Sequence, residues 1–324
     1  MKNVTYGLII ITMILFLGLG FFQSPLLANT ENEIEAGEEV LLNITTVSKN
    51  QYSMVKSIVL NKHNVEYLSE NESEIYKFKY NEDIINNISG RDLFIYSGIN
   101  NEPWVNDFIA ELKKGDLGII NMSRGIKTLT YENGNENPYY WLGINEYKIA
   151  LYNVKSAIQE KDPKNKSYYE ENYTNVINKI EESAKEVKLE LEKYKDYTVL
   201  TNTNTFDYLL RDLGLQVVNV KKEVTRKNLD EKKLDENKIV FVKEKDPIEI
   251  VNIIETKKED DKVEETKKTN EEKLEVPELE AKKPLDIKSV ELIRWDGEKT
   301  LVELALSNIK LVTDTLKKLP IVTK

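Results

Sequence analysis

The chain has 324 residues, of which 40% are hydrophobic and 31% charged, enough apolar material for two ordinary domains or one large one. Its formal net charge of −10 argues against a nucleic-acid binder, which needs an excess of Lys and Arg to face phosphates. The absence of cysteine and the presence of a single histidine, His63, remove disulfide scaffolds, thiolate zinc sites, cysteine nucleophiles, a lipid-acceptor cysteine and any His-rich metal site.

Lys2, an apolar run from Gly7 to Phe22 and a small residue at Ala28 form the layout of a secretory signal peptide over residues 1–28. As a helix the run would span roughly 24 Å, short of the ~30 Å hydrocarbon core, so cleavage is preferred to retention as an N-terminal anchor. Either outcome places the rest of the chain outside the cytoplasmic membrane, in a periplasm, at a cell surface or secreted. An uncleaved segment would tie it to the membrane surface.

From residue 38 the pattern alternates. Val40–Thr46, Val65–Leu68, Leu93–Tyr96 and Gly118–Met122 read as strands, separated by helices over Tyr52–Leu60, Ile84–Ile88 and Val105–Leu112. A helix over Asn145–Lys161 is expected to bury Ile149, Tyr152, Ala157 and Ile158, and Asp162-Pro163 ends it. A longer helix over Ser167–Tyr194 carries Tyr173, Ile177, Ile180, Ala184, Val187, Leu191 and Tyr194 at alternating steps of four and three. The alternation then restarts: strands at Thr198–Thr201, Gln216–Val220, Ile239–Val242 and Ser289–Trp295, helices at Phe206–Leu213, Ile248–Glu255 and Thr300–Leu319. Between Thr256 and Pro284 the chain is almost wholly Lys, Glu, Asp and Thr, which cannot bury enough surface to offset ordering, so a disordered insertion is expected there.

The predicted architecture is α/β, with two Rossmann-like lobes joined by one long rigid helix. An N-terminal lobe covers 38–162, the connector 163–195, and a C-terminal lobe 196–324 with the charged insertion at 256–284. No nucleophile–base pair or phosphate loop is present, so no enzyme is predicted.

Several segments stand in a telling order: Asp92-Leu-Phe-Ile-Tyr-Ser-Gly98 with Glu102-Pro-Trp104, Asn137-Pro-Tyr-Tyr-Trp-Leu142, Asp162-Pro-Lys-Asn165, Phe206-x-Tyr208, Gly214-Leu215 and Asn308. Together they resemble the substrate-binding proteins of zinc and manganese ABC transporters, some of which are adhesin-like. The resemblance covers roughly 38–255 and 287–319. It implies an extracytoplasmic solute-binding protein, a monomer, that delivers a metal ion or other small solute to an ABC permease.

The family draws four ligands, mostly His and carboxylates, from loops at the cleft between lobes. Here the resemblance places Tyr139 in one slot, Thr203 in another, Ile75 or Tyr76 in the first, and Asp296 in the last. His63 falls away from the cleft, where a surface histidine is expected. Two alternatives follow. One is a non-metal-binding surface or adhesin-like scaffold on the same fold. The other is a ferric-iron binder using Tyr139, Tyr140, Tyr76 and Tyr80 with Asp296, since phenolate and carboxylate are hard donors suited to Fe³⁺. The cargo on these readings is a divalent or ferric metal ion, or none.

Overall fold

A computed structural model describes residues 39–70, 72–99, 101–113, 115–131, 134–220, 224, 226–245, 287–294 and 299–321. The expected leader, the helix at Ile248–Glu255, the charged insertion and Asp296 lie outside the described residues.

The first lobe is a four-stranded sheet of β1 (Asn43–Ser48), β2 (Asn64–Ser69), β3 (Leu93–Tyr96) and β4 (Gly118–Asn121) in the order β2-β1-β3-β4. Every pairing is parallel. The helices between strands are α1 (Lys49–Val59), the single turn α2 (Glu72–Ile75), α3 (Glu82–Ser89) and α4 (Val105–Glu111). A parallel sheet needs cover on both faces, and successive side chains supply it. Leu93 and Ile95 enter the main core with Met54, Val55 and Ile58, whereas Phe94 between them packs on the other face with Val47, Trp104 and Phe108. Ser48 caps α1 through a reciprocal box with Gln51, so the helix begins three residues before the predicted Tyr52.

After α5 (Ile144–Lys161) and α6 (Lys166–Leu191), the second lobe repeats the plan. It contains β5 (Thr198–Thr201), α7 (Asp207–Asp212), β6 (Gln216–Asn219), α8 (Arg226–Glu231), β7 (Ile239–Glu244), β8 (Lys288–Leu292) and α9 (Leu301–Leu316). The strand order is β6-β5-β7-β8, again all parallel. Gly214, at φ +77°, follows α7 in the left-handed conformation that terminates helices. The main core is continuous through both lobes: Ile44 and Leu93 of the first sheet, Val240 and Leu292 of the second, and Ile177, Ile180 and Leu191 of α6 belong to one cluster. The connector therefore joins the lobes through shared apolar packing. Thr300, N-cap of α9, is followed by Leu301, whose N–H donates to Ser53 Oγ of α1 at 3.2 Å.

Two expectations need correction. The inward side of α5 is Tyr147, Ala150, Leu151, Val154, Ala157 and Ile158, while Tyr152 is 52% exposed. Tyr152 instead covers the buried ammonium of Lys155 at 4.4 Å, with Tyr173 of α6 on it at 4.6 Å and Glu170 paired to it at 2.7 Å. A cation over two rings makes an amphipathic phenol useful at the surface.

His63 is buried, not on the surface. Its Nδ1 accepts from the Leu42 N–H at 3.3 Å, which assigns the ring proton to Nε2, 2.6 Å from the Tyr169 hydroxyl. Tyr169 donates onward to Asp162 Oδ2 at 2.5 Å. Burial holds the His63 pKa below 6.5, despite the favourable charges of Asp162 and Asp92 and with Lys62 opposing protonation. A depressed folded-state pKa means the unfolded chain takes the proton first. The His63 contribution is thus complete above pH about 6.5 and is lost as pH falls below it. Urea denaturation from pH 8 to pH 5 should show this as a slope that His63→Gln removes; identical slopes in both proteins would refute it.

Candidate functional site between the lobes

In open parallel sheets, ligand sites form outside the carboxyl ends of strands where the strand order reverses. The reversal lies between β1 and β3 in the first lobe and between β5 and β7 in the second.

At the first, Gly98 follows β3 with φ +80°, and a Cβ there would meet the Asn121 side chain at 1.8 Å, so only glycine lets the chain turn into Glu102. The buried Glu102 carboxylate accepts from Gln51 Nε2 at 2.7 Å, Ser97 N at 2.8 Å and Ser97 Oγ at 2.8 Å. Burial pushes its carboxyl up, against these donors. Beside it is a cavity of about 20 Å³ whose lining includes Ile75, Met122, Tyr140 and Trp141, with room for about one water.

At the second reversal the strand ends carry a charged network. Glu244, the last residue of β7, accepts from Thr205 Oγ1 at 2.7 Å and Thr203 Oγ1 at 3.3 Å, and the two hydroxyls are 2.6 Å apart. Its other oxygen lies 3.3 Å from Arg294 Nε, with both side chains at most 6% exposed. Arg294 Nη1 then donates to the Tyr139 hydroxyl at 3.0 Å across 155 residues of sequence, and the guanidinium lies over the Tyr139 ring at 5.3 Å. Asn308 of α9, fully buried, clamps the preceding residue: its Oδ1 accepts from Ile293 N at 2.9 Å and its Nδ2 donates to Ile293 O at 2.7 Å. Asp207 at the start of α7 has its pKa pushed up by burial to about 6.

The segment before α5 is held to the second lobe by further bonds. Asn137 Nδ2 donates to Asn204 O at 2.7 Å, and Tyr208 donates to Asn137 O at 3.0 Å. Ile144 N donates to Asp212 Oδ2 at 2.7 Å. Tyr139 is thereby held beside Arg294, which links it to Glu244 and through that carboxylate to Thr203.

Of the residues singled out in the sequence, the structure brings Tyr139 and Thr203 into one network. Tyr76 is half-buried after α2, and Ile75 instead lines the cavity beside Glu102. Tyr140 donates to Ser97 O at 3.1 Å, and burial drives its pKa far up, which opposes phenolate formation. Tyr80 donates to Glu111 at 3.0 Å and packs on Phe108 and Trp104 in the outer cluster. The four tyrosines therefore do not converge. Among the described residues no group of three or more His, Cys, Asp or Glu side chains could hold a metal ion. Glu244, Arg294 and Thr205 were not singled out in the sequence, although a charge ending an apolar parallel strand is the signal that points to Glu244.

Two parallel-sheet lobes, one connecting helix and polar groups at the strand ends define a two-lobed α/β protein. Residues 44–294 match the family described as zinc-uptake complex component A, periplasmic, ZnuA, and the chain belongs to that family.

Among curated relatives, the high-affinity zinc uptake system protein ZnuA of Bacillus subtilis is 27% identical over 191 residues, 55% of this chain and 60% of that protein. The manganese ABC transporter substrate-binding lipoprotein PsaA of Streptococcus pneumoniae is 30% identical over 139 residues, 39% and 44% of the two chains. The chain thus matches less than two thirds of these relatives' lengths. Solved structures share the fold: the metal-dependent lipoprotein YcdH of Bacillus subtilis at TM-score 0.61 and 20% identity, covering 85% of this chain and 99% of that one. The laminin-binding adhesin Lmb of Streptococcus agalactiae superposes at TM-score 0.61 and 17% identity with the same coverage.

Proposed function

We propose that this protein is the extracytoplasmic solute-binding component of an ABC-type uptake system of the zinc and manganese class, working with a membrane permease and its ATPase. The observation that carries the reading is the contact of Tyr139 from the first lobe with Arg294 from the second, and through Arg294 its link to Glu244 and Thr203 at the strand-order reversal of the second sheet. Relatives named for zinc and manganese uptake support the cargo class. Tyr139, Thr203, Tyr76 and Asp296 remain the proposed ligand slots. Among the described residues no helix is long and apolar enough to cross a membrane, so attachment would fall to the N-terminal segment.

A second reading, a surface scaffold on the same fold without bound metal, is favoured by the buried guanidinium beside Tyr139. The two are separated by co-purification with a membrane permease from cells that express the protein and by uptake assays in cells lacking it. Specific capture of the permease with restored uptake supports the transport reading. Neither effect, in protein that reaches the cell exterior, favours the scaffold.

A further inference from the structure

We propose that Asn137 is the positioning residue of the interlobe site: its side-chain amide joins the Tyr139 segment to the Thr203 loop, so that these two ligand slots keep one spacing. The inference rests on the reading of Tyr139 and Thr203 as slots, and the joining itself is tested separately from that reading.

Asn137 is fully buried, and each of its four polar groups has a partner. Its backbone N–H donates to Leu129 O at 2.7 Å, and its carbonyl accepts from the Tyr208 hydroxyl at 3.0 Å. The same hydroxyl accepts from Leu129 N at 2.9 Å, so Tyr208 of α7 holds Leu129 and Asn137 together. Pro138 follows, which disfavours a helical backbone at Asn137 and steers it toward the extended one.

The side chain makes the link between lobes. Its Oδ1 accepts from Tyr139 N at 3.0 Å, and its Nδ2 donates to Asn204 O at 2.7 Å across 67 residues of sequence. One partner is a backbone donor and the other a backbone acceptor, so the position needs a group that accepts and donates at once. An amide does both. A carboxylate would set its charge against the Asn204 carbonyl, and an aliphatic side chain would strand both backbone groups. Asn204 adjoins Thr203, whose N–H is tied to Thr201 Oγ1 at 3.1 Å, and its own Nδ2 donates to Asp207 Oδ2 at 2.7 Å. The amide therefore links Tyr139 to a loop already fixed to β5 and α7. A site assembled from two lobes depends on such support, since a shift of about 1 Å is enough to spoil it.

The chain has no cysteine, so spin labels at Asn86→Cys on α3 and Asp230→Cys on α8, both exposed, report the distance between lobes in the full chain. Label distances are measured at pH 8 and pH 5 in this background, with Asn137→Asp and with Asn137→Ser. Affinity for Mn²⁺ and for Zn²⁺ is measured alongside by calorimetry. Each variant is compared with the natural Asn137 at the same pH, because Asp207, pushed up to about 6, titrates in all of them. A carboxyl buried against a carbonyl ionises above the usual value of about 3.9. At pH 8 Asn137→Asp should widen the distance distribution and weaken ion binding roughly tenfold or more. At pH 5 the carboxyl regains its proton and a donor for Asn204 O, and both readings should return to those of Asn137. Asn137→Ser, uncharged and too short to reach both partners, should widen the distribution at either pH, and it decides the matter where Asn137→Asp fails to fold. A merely structural asparagine would give lower melting temperatures with unchanged distances and affinities.

Unchanged distances in folded Asn137→Ser, or widening in Asn137→Asp that persists at pH 5, would overturn the proposal. Widened distances with ion affinity unchanged would keep the joining role and overturn Tyr139 and Thr203 as ligand slots. A natural chain that binds neither ion would overturn the metal-cargo reading alone, with the distances still deciding the role of Asn137.

Discussion

Glu244→Ala is expected to lower the folding free energy by about 3–5 kcal/mol, because it breaks a buried ion pair by removing the carboxylate 3.3 Å from Arg294 Nε. Both side chains are almost wholly withdrawn from solvent, so water cannot replace the lost partner as it does around an exposed pair. The Thr203 and Thr205 hydroxyls lose their shared acceptor as well. Replacing both charges by apolar groups of similar size, Arg294→Met with Glu244→Leu, should recover most of the loss, since breaking a buried ion pair costs more than replacing it whole. Urea denaturation of the three proteins decides it. A single variant within about 1 kcal/mol of the natural chain would mean that the guanidinium swings out to solvent.

The second large effect is expected at Asn308. Asn308→Ala removes both bonds to Ile293 and strands one backbone donor and one backbone acceptor, at about 1–3 kcal/mol each. A loss of about 2–5 kcal/mol is therefore expected in equilibrium unfolding. Asn308→Asp, which retains the acceptor but not the donor, should fall between the two. Because Ile293 precedes Arg294, the alanine variant should also loosen the Arg294–Tyr139 contact, seen as faster exchange of the Ile293 amide. An unchanged exchange rate would detach the clamp from the arginine.

Much of the scaffold was legible because its signals are local. Leu93–Tyr96 and Thr198–Thr201 form strands at the predicted bounds, as short apolar runs in an alternating chain require. The spacing of Ile177, Ile180 and Leu191 identified the connector and the face it buries. The strand–helix repetition gave two parallel sheets, and the order of short motifs gave the family, whose match spans 44–294. The face of α5 was misread because periodicity counts Tyr152 as apolar, whereas its ring covers Lys155 at the surface.

The composition and order of the chain determined two α/β lobes, a connecting helix, and a cleft poor in imidazole and thiolate, since one histidine and no cysteine cannot form a nitrogen or sulfur site. Only the tertiary structure decided what stands in the cleft instead. Tyr139 and Arg294 are 155 positions apart, and Thr205 and Glu244 are 39 apart, so no periodicity within an element could pair them. It likewise took His63 from an expected surface position into a buried chain of bonds with Tyr169, 106 residues away. Side-chain pairing across such distances depends on how the sheets and helices pack, and burial then fixes the partners, because an unpaired polar group in the interior costs more than the bond itself contributes.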